Sequence, residues 1–171
     1  ADSNGAVGDG QELVIITDLG ELPAIGGVLA NNKITLGVAQ EETSTVANTT
    51  DRNEATAALT GSFGNFSYGY QVKHIDLGQT AAATDAIFYR VDTLGIAYAV
   101  NDALSLSYNT TEQSRHSVGA DNRFEQETDA FNIGYAVGGL TFGFQDASTD
   151  NANNVEAVSD DTRTLSVKVA F

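Results

Sequence analysis

The C-terminal stretch Thr164-Leu165-Ser166-Val167-Lys168-Val169-Ala170-Phe171 constrains the chain most. Side chains alternate across an extended strand with period two. Leu165, Val167, Val169 and Phe171 therefore share one face, and Thr164, Ser166, Lys168 and Ala170 the other. The same two-faced pattern recurs upstream. Leu140, Phe142 and Phe144 alternate with Thr141, Gly143 and Gln145. Phe131 to Val137, Leu104 to Tyr108, Leu94 to Val100, Phe66 to Val72 and Ile34 to Val38 behave alike. One face is aliphatic and aromatic, the other small and hydrophilic.

Turn signals punctuate these runs. Asn31-Asn32, Gly64-Asn65, Asn101-Asp102 and Gly138-Gly139 suit tight hairpin turns, because Gly and Asn tolerate positive φ. Their first residues are 33, 37 and 37 positions apart. Between them lie polar connections near 42–53, 76–86, 112–126 and 147–160. The expected strands are 22–30, 33–41, 54–63, 65–75, 88–100, 103–112, 127–137, 140–147 and 161–171. Leu13-Val14-Ile15-Ile16 does not alternate, and residues 11–18 are either a tenth strand or part of a loop. The expectation is one all-β domain over residues 1–171, an antiparallel up-and-down barrel wall of about 9–10 strands with tight turns at one end and long loops at the other. With nine strands the first enters from the long-loop side. Single-chain barrels of this type have even strand numbers, so the count points to the C-terminal portion of a larger barrel.

Composition excludes several function classes. A formal charge of −15 argues against nucleic acid as a partner, since phosphates call for Lys and Arg. The chain has no Cys, hence no disulfide and no thiolate metal site. No apolar run approaches the length of a transmembrane helix, but barrel strands need only every second residue to be apolar. No catalytic constellation is present, and His74 and His116 stand alone near or within polar connections, so an enzyme is not expected. Asp146, Asp150, Asp160 and Asp161 lack the spacing of a known calcium loop; no metal or cofactor is expected. A soluble barrel would turn the apolar face inward and leave Ser, Thr, Gly, Ala and Asn as a poorly charged surface. Turning it inside out removes that conflict, and sets Phe63, Phe66, Tyr98, Tyr135, Phe142 and Phe171 near the tight-turn level as an aromatic girdle.

The stretches Leu94–Tyr108 and Asn132–Phe142, with the terminal Phe171, resemble the C-terminal part of Gram-negative outer-membrane general porins of the alphaproteobacterial type. The resemblance implies a 16-stranded, water-filled, transmembrane β-barrel in the bacterial outer membrane. It implies a homotrimer embedded in outer-membrane lipid and lipopolysaccharide, and passive diffusion of small hydrophilic solutes and ions. An N-terminal barrel segment would complete the wall, and Phe171 would serve as the assembly signal. The family's acidic constriction loop belongs to the N-terminal half and matches no position here. In such a barrel the polar face lines the pore through Gln71, Lys73, Ser105, Ser107, Asn109, Thr128, Asn132, Thr141, Gln145, Ser166 and Lys168. Two alternatives stand beside the porin. One is a small closed barrel of eight to ten strands with a structural or adhesive role. The other is a soluble secreted or surface-layer β protein with acidic calcium-binding loops.

Overall fold

The computed structural model of the chain describes residues 10–23, 27, 29–42, 50–78, 86–117 and 125–169. Among these residues nine strands run in chain order: β1 (Gly10–Asp18), β2 (Asn32–Glu41), β3 (Arg52–Phe63), β4 (Phe66–Asp76), β5 (Ala86–Ala99), β6 (Leu104–Ser117), β7 (Glu125–Val137), β8 (Leu140–Asp150) and β9 (Asp160–Val169). They form one antiparallel up-and-down sheet in the order β1 to β9. Among the described residues β1 pairs only with β2, and β9 only with β8, so the sheet is open with two free edges. Phe171 and Ala170 lie outside the described residues.

The expected first strand at 22–30 is not there. Leu22, Pro23, Gly27, Leu29 and Ala30 are outside any strand, while residues 24–26 and 28 are not among those described. The first strand is β1, at 10–18. A 3-10 turn at Leu19–Glu21 follows it, and the Asp18 carboxylate accepts a hydrogen bond from the Gly20 N–H at 2.9 Å. Gly20, Pro23 and Gly27 explain the break, since Gly weakens a strand and Pro cannot donate to its ladder. The Asn31-Asn32 pair is not a tight hairpin either. Asn31 takes φ 69° and ends a connection running from residue 19, and Asn32 opens β2. The glycine turns are tight: Gly64 (φ 57°), Gly138 (φ 55°) and Gly139 (φ 80°) occupy the left-handed region that glycine enters without strain. Between β5 and β6 the Asn101 side chain accepts from the N–H groups of Ala103 and Leu104, each at 2.9 Å.

The strands also run further than expected at the other end. β6 continues to Ser117, β7 begins at Glu125 and β8 reaches Asp150. These extensions fall in stretches that the sequence pattern assigns to loops. Both faces of them are polar, so the alternation that marks a strand is missing.

Among the described residues no second sheet or long helix packs on either face. Among the described residues no large side chain is fully buried, and the buried apolar residues are Ala130 and Ala152. Leu13, Ile15, Leu36, Val38, Leu94, Ile96, Leu165 and Val167 are all exposed. On β3 the residues of the apolar face, Asn53 to Leu59 at alternate positions, are exposed, while Arg52, Glu54, Thr56 and Ala58 opposite them are half-buried. On β5, Leu94, Ile96 and Tyr98 are exposed, and Thr93, Gly95 and Ala97 half-buried. Side chains splay on a convex face and crowd on a concave one, so along β3 and β5 the sheet curls toward its polar face.

Register fixes how the apolar face is laid out. Moving away from the tight turns, the first charged, amide or imidazole side chain beyond the apolar run of that face is Arg163 on β9 and Asp146 on β8, a directly paired couple. It is Asp129 on β7, two residues beyond the partner of Asp146. Glu112 on β6 pairs across from Glu127, two residues further again, and Asp92 on β5 pairs with Glu112. His74 on β4 and Asn53 on β3 each add two more, and Gln40 on β2 and Gln11 on β1 stay level with Asn53. The boundary thus climbs about eight residues across the eight strand pairings. The tight turns climb with it: Phe66 opens β4, yet its row leads through Tyr98 and Leu106 to Ile133, and β7 runs on to Val137 before turning. About one residue of stagger per strand, at about 3.3 Å rise and about 4.8 Å strand spacing, corresponds to a tilt of about 35°. Measured across strands tilted that way, the apolar region is a level band. On β4 it holds Phe66, Tyr68, Tyr70 and Val72, and on β7 Phe131, Ile133, Tyr135 and Val137.

Candidate functional site

The sequence singles out the polar face, and the pairing gathers its residues there. Gln71, Lys73, Ser105, Ser107, Asn109, Thr128, Asn132, Thr141, Gln145, Ser166 and Lys168 all lie on one face of the sheet: Ser107 pairs with Asn132, Asn132 with Gln145, and Thr141 with Lys168. Over β6–β9 a groove of about 360 Å³ runs along this face, touched by Ser105, Ser107, Asn132, Gln145, Thr164 and Ser166. Glycine keeps this part of the wall thin. A Cβ on Gly134 would lie 2.9 Å from the Ser105 Oγ, and one on Gly143 2.5 Å from the Ser166 Oγ. The serines of neighbouring strands fill the space that a side chain would need.

The β1–β4 part of the same face is charged. Lys73 Nζ lies 2.7 Å from a Glu54 carboxylate oxygen, and Arg52 reaches the other Glu54 oxygen at 2.6 Å. Arg52 also sits 3.8 Å from Glu41. Gln71 donates to the Thr56 hydroxyl at 3.0 Å. Further along, Thr93 and Thr111 are 3.2 Å apart and Thr128 and Thr149 3.0 Å. By register, the described strand residues of the polar face carry Glu12, Asp18, Glu41, Glu54 and Asp160 against Lys33, Arg52, Lys73, Arg115 and Lys168. The wall is balanced in charge. It is also less uniformly hydrophilic than the alternation suggests, since Val14, Ile16, Ile75, Tyr89 and Val91 share it.

The acid excess sits elsewhere. Asp76, Asp92, Glu112, Glu125, Glu127, Asp129, Asp146, Asp150 and Asp161 fall on the apolar face, beyond the end of the band, against Arg90 and Arg163. They are strand residues forming a collar rather than loop residues. Tyrosines at the rim tie the band to it: the Tyr70 hydroxyl donates to Asp92 at 2.7 Å and that of Tyr108 to Asp129 at 2.5 Å. Arg90 holds Asp92 at 2.7 Å and Arg163 holds Asp146 at 3.1 Å. His74 and His116 also belong to the collar, flanking the Phe88 ring with centroids 4.7 and 4.0 Å away. At the tight-turn side Phe66 and Tyr98 meet with centroids 4.5 Å apart, and Phe63, Tyr135 and Phe142 share their face. Tyr68 folds over Gly61 to donate to the Asn32 side chain.

Asp146, Asp150 and Asp161 lie on one face and Asp160 on the other, so the four carboxylates do not converge. Among the described residues no group of three or more His, Asp or Glu is placed to hold a metal ion. No helix among them is long and apolar enough to cross a membrane, which leaves a strand-built crossing untouched. Comparisons with protein-family models, curated proteins and solved structures find no match for the chain.

Proposed function

We propose that this chain is a section of the wall of an outer-membrane porin, a passive channel for small hydrophilic solutes and ions. The observation that carries the reading is the apolar band: it is exposed or half-exposed, convex along β3 and β5, and level across strands staggered by about one residue each. Four outward residues span about 20 Å of strand from first to last, or roughly 16 Å along the normal of a sheet tilted by about 35°, to which the side chains at either end add. The apolar band of a transmembrane barrel is about 25 Å tall on strands tilted about 35–45°. A soluble domain is disfavoured by the missing core, because burial of apolar surface is what drives such domains to fold. A small closed barrel is disfavoured because β1 and β9 do not meet.

The two edges also say what would close the wall. β1 runs from the long-connection end toward the turn end, and so does β9, eight antiparallel steps later. Joining two edges of the same direction by antiparallel pairing takes an odd number of added strands. Seven would give the sixteen of the porins that the sequence resembles, and a segment N-terminal to β1 is the natural source. In lipid an uncovered edge is costly, as each unpaired backbone group there costs several kcal/mol. The charged collar then meets the headgroup layer of lipid and lipopolysaccharide, and the polar face meets water. The family resemblance adds a homotrimer.

The test has two arms. Leu106→Arg and Ile133→Arg on the band should block membrane assembly, at about 2–4 kcal/mol each for a mid-depth lipid-facing Arg. Ser107→Arg and Asn132→Arg, their neighbours on the other face, should assemble. In planar bilayers the whole protein, with the segment that completes the wall, should give ohmic steps of current. The reverse pattern of tolerance, or assembled protein without current, would overturn the reading.

A further inference from the structure

The connection between β8 and β9, residues 151–159, does not extend away from the strand ends. It doubles back over the polar face and is fastened across two strands. Asn154 exchanges side-chain and backbone hydrogen bonds with Gln113 on β6: the Gln113 amide donates to Asn154 Oδ1 at 3.0 Å, and the Asn154 amide donates to the Gln113 carbonyl at 3.1 Å. The Asn153 N–H donates to Gln126 Oε1 on β7 at 2.8 Å, and the Asn151 amide to the Glu125 carbonyl at 2.9 Å. Gln113 and Gln126 are a directly paired couple on the polar face, in line with Thr111–Thr128 and Ser107–Asn132. Reaching β6 from the β8–β9 loop means crossing β7, a distance of about 10 Å at ordinary strand spacing.

The loop is built to hold this shape. The Ala152 N–H donates to the Val158 carbonyl at 2.7 Å and closes it on itself. The Asn151 side chain accepts from the Ala157 N–H at 3.0 Å. Asn151, Asn153, Asn154 and Ala157 all take positive φ, a conformation that Asn adopts more readily than most residues. Ala152 and Asn154 are 7% and 5% exposed, in a sheet that otherwise buries little. Asn151, Asn153 and Asn154 are tied to β6 and β7, whereas residues 155–159 remain exposed.

We propose that residues 151–159 form a fixed shelf over the mouth of the channel that sets the size of the hydrophilic solutes admitted. The proposal rests on the channel reading above. The shelf takes cross-section from the water-filled space at the long-connection end, and the Asn154–Gln113 and Asn153–Gln126 contacts hold it there. Small sugars and ions pass beside it, and larger saccharides are turned back.

The experiment compares the parent protein, the Gln113→Ala/Asn154→Ala variant and the Gln113→Cys/Asn154→Cys variant bridged by a short bismaleimide. The chain has no native Cys, so within these residues the bridge has one site, and each form is made as the whole protein with the segment that completes the wall. Each is assembled in membranes, its folded state checked by protease resistance, then read by single-channel conductance and by liposome swelling in saccharides of increasing size. The expected result is a bridge that forms and leaves conductance and size limit as in the parent. The alanine pair should raise conductance and shift the size limit to larger saccharides. A conducting protein in which the bridge fails to form, or in which the alanine pair changes neither quantity, overturns the shelf and leaves the channel standing. A bridge that forms in a protein that never conducts overturns the channel reading, and the shelf with it.

Discussion

β7 is one strand in two surroundings. From Phe131 to Val137 its outward residues are Phe131, Ile133, Tyr135 and Val137, and from Glu125 to Asp129 they are Glu125, Glu127 and Asp129. The backbone pairing is continuous through both halves. What changes is the medium that the outward face is suited to. The same break recurs at Asp146 on β8, Glu112 on β6 and Asp92 on β5, always at the height that the stagger demands. Period-two alternation is therefore a record of the solvent on one face rather than of the strand itself.

The largest expected effect breaks this comparison outright. Ile133→Arg puts a charge into the band and should abolish assembly, at about 2–4 kcal/mol. Glu127→Arg, on the same face of the same strand but in the collar, should assemble as the parent does. Equal failure of both, read as the folded fraction in a gel-shift assay, would mean that the band has no upper limit where the collar begins. A smaller effect tests the packing of the polar side in the turn-proximal half. Gly143→Ala presses on the Ser166 hydroxyl and should cost on the order of 1 kcal/mol in the urea midpoint. Ser166→Ala in the same chain should recover most of it. The smallest effect belongs to the collar. The Arg163–Asp146 pair is largely solvent-exposed, and Asp146→Ala should change stability by less than about 0.5 kcal/mol, with little left to lose at high salt. A loss as large as that of Gly143→Ala would place Asp146 in a far drier setting than the collar offers.

The same contrast explains what the sequence disclosed. Strand middles such as Leu104 to Tyr108 were legible because one face is apolar. The continuation Gln113 to Ser117 is polar on both faces and reads as a loop, although its backbone pairs with β5. Leu13 to Ile16 fails in the opposite sense. It is apolar on both faces, so it does not alternate, yet it is the edge strand β1. The composition of the polar face was readable, but not its charge balance, because assigning Asp160 inward and Asp161 outward takes the register of β9. The folding of residues 151–159 over β6 and β7 left a single trace in the sequence, the run of asparagines at 151, 153 and 154. That run announces positive φ without saying which strand the loop will meet.

Among the described residues every strand of this sheet is hydrogen-bonded in the ladder only to the strands before and after it in the chain. Such a molecule is held together by nearest-neighbour interfaces, as a repeat array is. It has no interior that must form all at once. Each hairpin can join the one already seated, and under the barrel reading the entropy of bringing distant ends together would fall due only when the two free edges are closed. The last hairpin carries both an open edge and the strap that reaches back to β6, so it is the natural place for such a zipper to be clasped.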